Sequence, residues 1–198
     1  MGEKVVKSMI KIVIVNGRPG AGKTTFEDIC QALMGPFCRS RSTIDRINEV
    51  AKRAGWDARK RLESRKFLSD LKALCREFND LPFQDIKRTL RLFKSDLINY
   101  HVNEHNAILL VDSREPAEIQ RFKDEMDAIT VLIRRAAIEE ETTSNESDEN
   151  VFNFDYDYTI DNNGSIDDLR IKAEEFLDLI FPKNDDIIDI ENEEGSAE

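Results

Sequence analysis

The chain is short of several residue types and patterns, and each shortage excludes something. Its three cysteines, Cys30, Cys38 and Cys75, have no paired or CxxC spacing, so a disulfide framework is not expected; an odd, unpatterned set predicts reduced thiols and a cytoplasmic location. No apolar run approaches the ~20 residues that span a bilayer, and Met1 to Met9 holds lysines without an apolar stretch, so neither a membrane span nor a signal peptide is expected. The two histidines, His101 and His105, have no ligand spacing with cysteine or with each other. No internal repeat is present. At 198 residues, 40% hydrophobic and 35% charged, the chain fits one globular domain with a substantial core.

Charge is abundant and unevenly placed. Residues 1–135 hold 26 of the 29 Lys and Arg and 19 of the 40 Asp and Glu, a net of +7, whereas residues 136–198 carry a net of −18. A basic body suits a phosphate-rich ligand held at short range. The acidic C-terminal third weakens long-range attraction to a nucleic-acid backbone, so nucleic acid is not the expected partner.

The apolar pattern predicts alternating strands and helices. Met9 to Asn16 is a β-branched run ending at glycine, which predicts a buried strand, with a helix from Lys23 to Met34 stopped by Gly35-Pro36. Phe37 to Arg41 is a candidate second strand, and Ser42-Thr43-Ile44-Asp45 resembles a capping box opening a helix to about Ala54. Two long helices follow, marked by Phe67, Leu71, Leu74, Cys75 and Phe78, then by Phe83, Ile86, Leu90, Phe93 and Leu97. Further strands are expected over Ala107–Asp112, Ala128–Arg134 and Tyr156–Asp161, with helices over Pro116–Met126 and from Ile166 to Ile180. Such alternation points to a parallel sheet covered on both faces. The domain is expected to span residues 1–182, with a helical insert over 42–102 and a polar, glycine-free, lid-like segment over 135–150. Residues 183–198 read as an acidic disordered tail, whose Ile187, Ile188 and Ile190 leave docking onto the basic body open.

One segment carries chemistry with high specificity. Gly17-Arg18-Pro19-Gly20-Ala21-Gly22-Lys23-Thr24 matches GxxxxGK[ST] between a predicted strand and a predicted helix, where this motif must sit. By chance such a match arises in roughly one chain in a hundred of this length. The glycines let backbone N–H groups converge on phosphate oxygens, and the helix N-terminus adds its positive dipole end. Lys23 is expected at the β- and γ-phosphates of ATP, Thr24 at Mg²⁺, and Thr25 beside them. Ala107 to Asp112 reads as a Walker-B-like strand, with Asp112 either holding Mg²⁺ beside the acceptor or capping the next helix. Arg114 lies just past that strand, and Arg134 and Arg135 end another. All three are candidate catalytic cations for phosphoryl transfer.

No NKxD guanine-reading motif is present, and the helical insert suits an acceptor site, which favours a small-molecule kinase. The stretches STIDRINEVAKRAGWDARK, RKFLSDLKALCREFNDLPF, VDSREPAEIQRFK, VLIRR and YDYTIDNNGSIDDL resemble the phage and bacterial deoxynucleoside monophosphate kinase-like family over most of residues 8–180. That resemblance implies a three-layer α/β P-loop kinase fold with a five-stranded parallel sheet, a helical acceptor-binding insert and a closing lid. It implies transfer of the ATP γ-phosphate to a (deoxy)nucleoside monophosphate. By position it places Ser42, Thr43, Asp45, Trp56 and Asp57 at the acceptor, with Arg65 and Lys66 on its rim. Read from the residues alone, Ser42 and Asp45 serve equally as helix caps, Trp56 as core, and Arg65 and Lys66 as a solvated helix face. Asp161 to Gly164 is either an adenine contact or an Asn-Gly turn. Two rivals stand beside this reading: a kinase for another acceptor such as dephospho-CoA, and a non-catalytic ATP-binding regulator. Oligomeric state is not legible.

Overall fold

The computed structural model describes residues 10–59, 61–99, 105–139 and 150–182. The expectations for the N-terminal nine residues, for most of the lid-like segment and for the acidic tail lie outside the described residues. So does the expectation for His101.

Five strands form one parallel sheet: β1 (Ile10–Asn16), β2 (Cys38–Ser42), β3 (Ala107–Asp112), β4 (Ile129–Arg134) and β5 (Tyr158–Asp161). Their order across the sheet is β2-β3-β1-β4-β5, so the most apolar strands, β1 and β3, lie inside. Residues Val13 to Val15 and Ala107 to Val111 are fully buried, as expected of strands covered on both faces. Alternation along β1 divides the core. Val13 and Val15 face α1 (Lys23–Met34) and the last helix, α7 (Ile166–Ile180), meeting Phe26, Cys30, Leu169, Ala173 and Phe176. Ile12 and Ile14 face α4 (Leu81–Asn99) and α5 (Pro116–Met126), meeting Phe83, Ile86, Phe93, Ile119 and Phe122.

The insert consists of α2 (Asp45–Arg53), α3 (Leu62–Asn79) and α4. Helix α3 buries no residue, and its stripe leaves Leu74 and Phe78 at 63% and 85% exposure. A short helix, α6 (Ala136–Glu139), follows β4, and Asn150–Phe152 makes one 3-10 turn before β5. Among the described residues, no helix is long and apolar enough to cross a membrane.

Several expected boundaries shift, those of β2 and β4 by a single residue. Strand β2 continues to Ser42, which pairs with Asp112, so the helix after it begins at Asp45 rather than at a cap on Ser42. Only half of the expected capping box exists there: the Asp45 carboxylate accepts from the Ser42 N–H (2.8 Å), while the Ser42 hydroxyl accepts from the Ile44 N–H (3.4 Å) instead of from that of Asp45. The reciprocal box forms instead at Ser165 and Asp168, opening α7. Strand β5 begins at Tyr158, because Tyr156 turns its hydroxyl into a buried network and Asp157 turns its carboxylate toward β4.

Asp157 sews β5 to β4 by accepting from the Thr130 N–H and hydroxyl (both 2.8 Å) and from Lys123. Burial pushes this carboxyl up, but those donors outweigh it and hold it below its ordinary 3.8. Its stability contribution is therefore present above that value and lost as pH falls through the depressed folded pKa. The melting-temperature gap between wild type and Asp157→Asn is expected to be widest at neutral pH and to shrink towards pH 3.

Candidate nucleotide site

The carboxyl ends of all five strands meet along one edge, and the P-loop lies there between β1 and α1. Its path depends on glycine at two places. A Cβ on Gly17 would collide with the backbone carbonyl of Ile133, and Gly22, at φ +100°, would drive a Cβ into the Asn162 side chain. Ala21 and Lys23 are buried and Thr24 is exposed at the start of α1. The Lys23 ammonium curls over the loop, donating to the carbonyls of Gly17 (2.7 Å) and Arg18 (3.2 Å).

Around this loop the fold gathers residues of distant origin. Register places Asp112 opposite Ser42, on the sheet face that also carries Leu110 and Cys38 and therefore looks towards α1. One carboxylate oxygen of Asp112, Oδ1, is buried and accepts no hydrogen bond. The alternative in which Asp112 caps the following helix does not hold, since α5 begins at Pro116 with Glu115 at its cap position. Arg114 lies between them, its carbonyl accepting from the Asn16 side chain (3.5 Å).

Several residues of this edge were not singled out from the sequence. Asn16 is fully buried; its Oδ1 accepts from the Gly17 N–H (2.8 Å) and its Nδ2 donates to the Tyr156 hydroxyl (2.7 Å), which donates on to the Val151 carbonyl (2.8 Å). Burial pushes the Tyr156 phenol up to about 12, so it stays protonated and serves as that relay. Glu27 lies one helical turn beyond Lys23 and accepts from the Ser40 hydroxyl (2.6 Å). Its carboxyl is raised, first by burial and then by the field of Asp112, against the Ser40 bond and the pull of Lys23. The i, i+4 spacing from Lys23 was the available signal. Glu118, on α5, gathers the hydroxyls of Ser113 (3.1 Å) and Thr43 (3.4 Å) and an ion pair from Lys72 (2.9 Å), tying α3 to the end of β3.

The other arginines beside the loop are held by protein groups or exposed. Arg134 forks onto the Glu139 carboxylate (2.8 and 2.7 Å), and Arg135 is exposed. Arg18 donates to the carbonyls of Ile138 (3.2 Å) and Glu139 (2.9 Å). Asn162 donates to the Ala21 carbonyl (2.8 Å) and Asn163 accepts from the Ala136 N–H (2.7 Å), so the Asn-Gly loop abuts the P-loop and α6.

Part of the expected acceptor set is not brought to this edge. Ser42 and Asp45 are there, bonded to each other. Trp56 lies past the far end of α2, about 14 Å of helix away; it is half-buried, with its indole N–H buried and unpaired. Asp57 pairs with Arg61 and accepts from the Arg59 N–H (3.1 Å), a purely local arrangement. Arg65 is exposed on the first turn of α3, and Lys66 pairs with Asp70 one turn on, as a solvated helix face does. A groove of about 770 Å³ between α4 and α5 opens at the opposite edge of the sheet, by Ile10 and Asp127, away from all of these groups.

The residues present fit Mg²⁺ carried in with phosphate. That ion is usually held by one or two protein oxygens plus phosphate, and an exposed Thr24 hydroxyl with an unbonded Asp112 oxygen offers such a pair. Among the described residues no three His, Cys, Asp or Glu side chains converge as an all-protein metal cage.

No protein-family model matches the chain, and no curated protein matches it. Solved structures with a similar outline include a shikimate kinase from Aquifex aeolicus (14% identity, TM-score 0.49, covering 86% of this chain and 98% of that one). A putative kinase from Chloroflexus aurantiacus has 12% identity and a TM-score of 0.48 over 88% and 98% of the two chains. The adenosine phosphosulfate (APS) kinase CysC from Mycobacterium tuberculosis has 14% identity and a TM-score of 0.41 over 88% and 99%. At these values the likenesses carry no weight of their own; the P-loop kinase fold rests on the strand order and on the motif between β1 and α1.

Proposed function

We propose that this protein binds MgATP at the P-loop and transfers the γ-phosphate to a (deoxy)nucleoside monophosphate, giving a diphosphate and ADP. What supports the reading is that the P-loop follows β1 and that Asp112, with an unbonded carboxylate oxygen, ends the neighbouring β3 at the same carboxyl edge of a sheet ordered β2-β3-β1-β4-β5. Phosphoryl transfer needs little covalent chemistry from a protein. It needs an acceptor oxygen held in line and cations around the moving phosphoryl group. Lys23 leaves its loop carbonyls to meet the β/γ-phosphates, the P-loop N–H groups hold the phosphate oxygens, and Thr24 and Asp112 hold the metal. Mg²⁺ held there would supply charge neutralisation at the phosphates. Arg114, just past the end of β3, supplies further charge, and the edge formed by Ser42, Asp45 and the insert receives the acceptor.

Glu27 favours a second reading on the same scaffold. A phosphate acceptor arrives with an oxygen already deprotonated, whereas a hydroxyl acceptor must lose a proton, and a half-buried carboxylate with a raised pKa is suited to take it. Dephospho-CoA is an acceptor of that kind. Release of ADP across a panel of (d)NMPs and dephospho-CoA separates the two, and no release with any of them leaves only nucleotide binding.

Binding itself has a simpler expected result. Saturating MgATP raises the melting temperature, because a ligand held only by the folded state stabilises it by mass action, about 2.7 kcal/mol at a hundredfold excess over Kd. Thr24→Ala is expected to shrink the part of that shift that depends on magnesium. An identical melting curve with and without MgATP overturns the reading.

A further inference from the structure

Arg18 of the P-loop and Arg134 at the end of β4 are held by one short element. Arg134 lays both nitrogens of its fork on the Glu139 carboxylate, and Arg18 donates to the carbonyls of Glu139 and the residue before it. Both guanidinium groups also lie over the Phe152 ring, at 5.3 Å for Arg18 and 5.7 Å for Arg134. Ile138 rests 3.9 Å from where a Cβ on Gly20 would stand, so this element sits directly on the phosphate loop. Asn162 links the same parts, its N–H donating to the Arg134 carbonyl (2.7 Å) and its side chain to the Ala21 carbonyl.

A guanidinium fork matches a carboxylate and a phosphate with the same geometry, so the Nε–Nη2 edge of Arg134 that holds Glu139 cannot grip a phosphate at the same time. Building on the nucleotide-binding reading above, we propose that Glu139 is a positioning residue that occupies Arg134 as an internal stand-in for phosphate, which MgATP must displace to recruit that arginine. Charge supports the competition, since a triphosphate entering over Arg18 meets the Glu139 carboxylate as a like charge. Phe152 supplies the fixed surface on which Arg134 can swing: its stacking contact survives a change of anionic partner, so only the fork is exchanged. Glu139 therefore sets how tightly the triphosphate binds and leaves adenosine unaffected.

The experiment measures binding of MgATP, inorganic tripolyphosphate and adenosine to the full chain, with steady-state kinetics alongside. Glu139→Gln is expected to tighten MgATP and tripolyphosphate about two- to fivefold, the worth of one exposed charge pair, with adenosine unchanged. The KM for ATP falls by the same factor and kcat moves less, the gain shrinks at high salt, and Glu139→Asp restores wild-type affinity. In an Arg134→Ala background the Glu139→Gln gain disappears, which a merely structural brace would not produce. Unchanged or weaker phosphate binding in Glu139→Gln overturns the proposal, as does a gain that survives loss of Arg134. Wild type that binds MgATP while failing these arms sinks only this inference. Wild type that binds no MgATP sinks the parent reading and this one together.

Discussion

Lys23→Ala is expected to lower turnover by roughly a hundred- to thousandfold, the usual loss when one preorganised charge is removed from a developing anion. Lys23 is only 9% exposed, yet its ammonium contacts carbonyls of the loop and not the apolar core. Helix α1 is anchored independently by Phe26 and Cys30, so the fold survives the substitution. The melting temperature without nucleotide is therefore expected to stay within a few degrees of wild type. Activity within a few-fold of wild type would remove phosphoryl transfer from the P-loop.

The largest loss of stability is expected from Phe26→Ala. Phe26 is fully buried on the face of α1 turned towards the sheet and packs on Phe176 of α7, ring centroids 5.8 Å apart. Truncating a phenylalanine in such a position costs about 3–5 kcal/mol through lost transfer energy and a residual cavity. Against a total of roughly 5–15 kcal/mol this is a large share, equivalent to about 6–20 °C in melting temperature for a domain of this size. Phe78→Ala, 85% exposed on α3, is the control and should shift the midpoint little. Equal losses in the two variants would contradict the division of the core described above.

Sequence reading succeeded where one local pattern dictates one structure. Helix α1 runs over the predicted Lys23 to Met34, because the P-loop opens it and Gly35-Pro36 cannot continue it. Strand β3 runs over the predicted Ala107 to Asp112, its unbroken apolar run suiting a strand covered on both faces. Reading failed where two local signals competed. Ser42-Thr43-Ile44-Asp45 looks like a cap, but pairing of Ser42 with Asp112 extends the strand through that position. Trp56 carries an aromatic face that suits a base and equally suits a core, and its place in the turn after α2, its backbone N–H donating to the Ala51 carbonyl, is one that periodicity does not encode.

By itself, then, the sequence determined the alternation of strands and helices, the phosphate loop and the acid that closes β3, since each rests on residues adjacent in the chain or one helical turn apart. The tertiary structure alone decided which distant residues join them. Asn16 meets Tyr156 and Glu27 meets Ser40 because strand order and register bring them together. It also decided that Arg134, five residues before Glu139, spends its charge on that carboxylate. A side chain's partner depends on which surfaces the fold lays against each other, and the spacing of residues along one chain does not contain that choice.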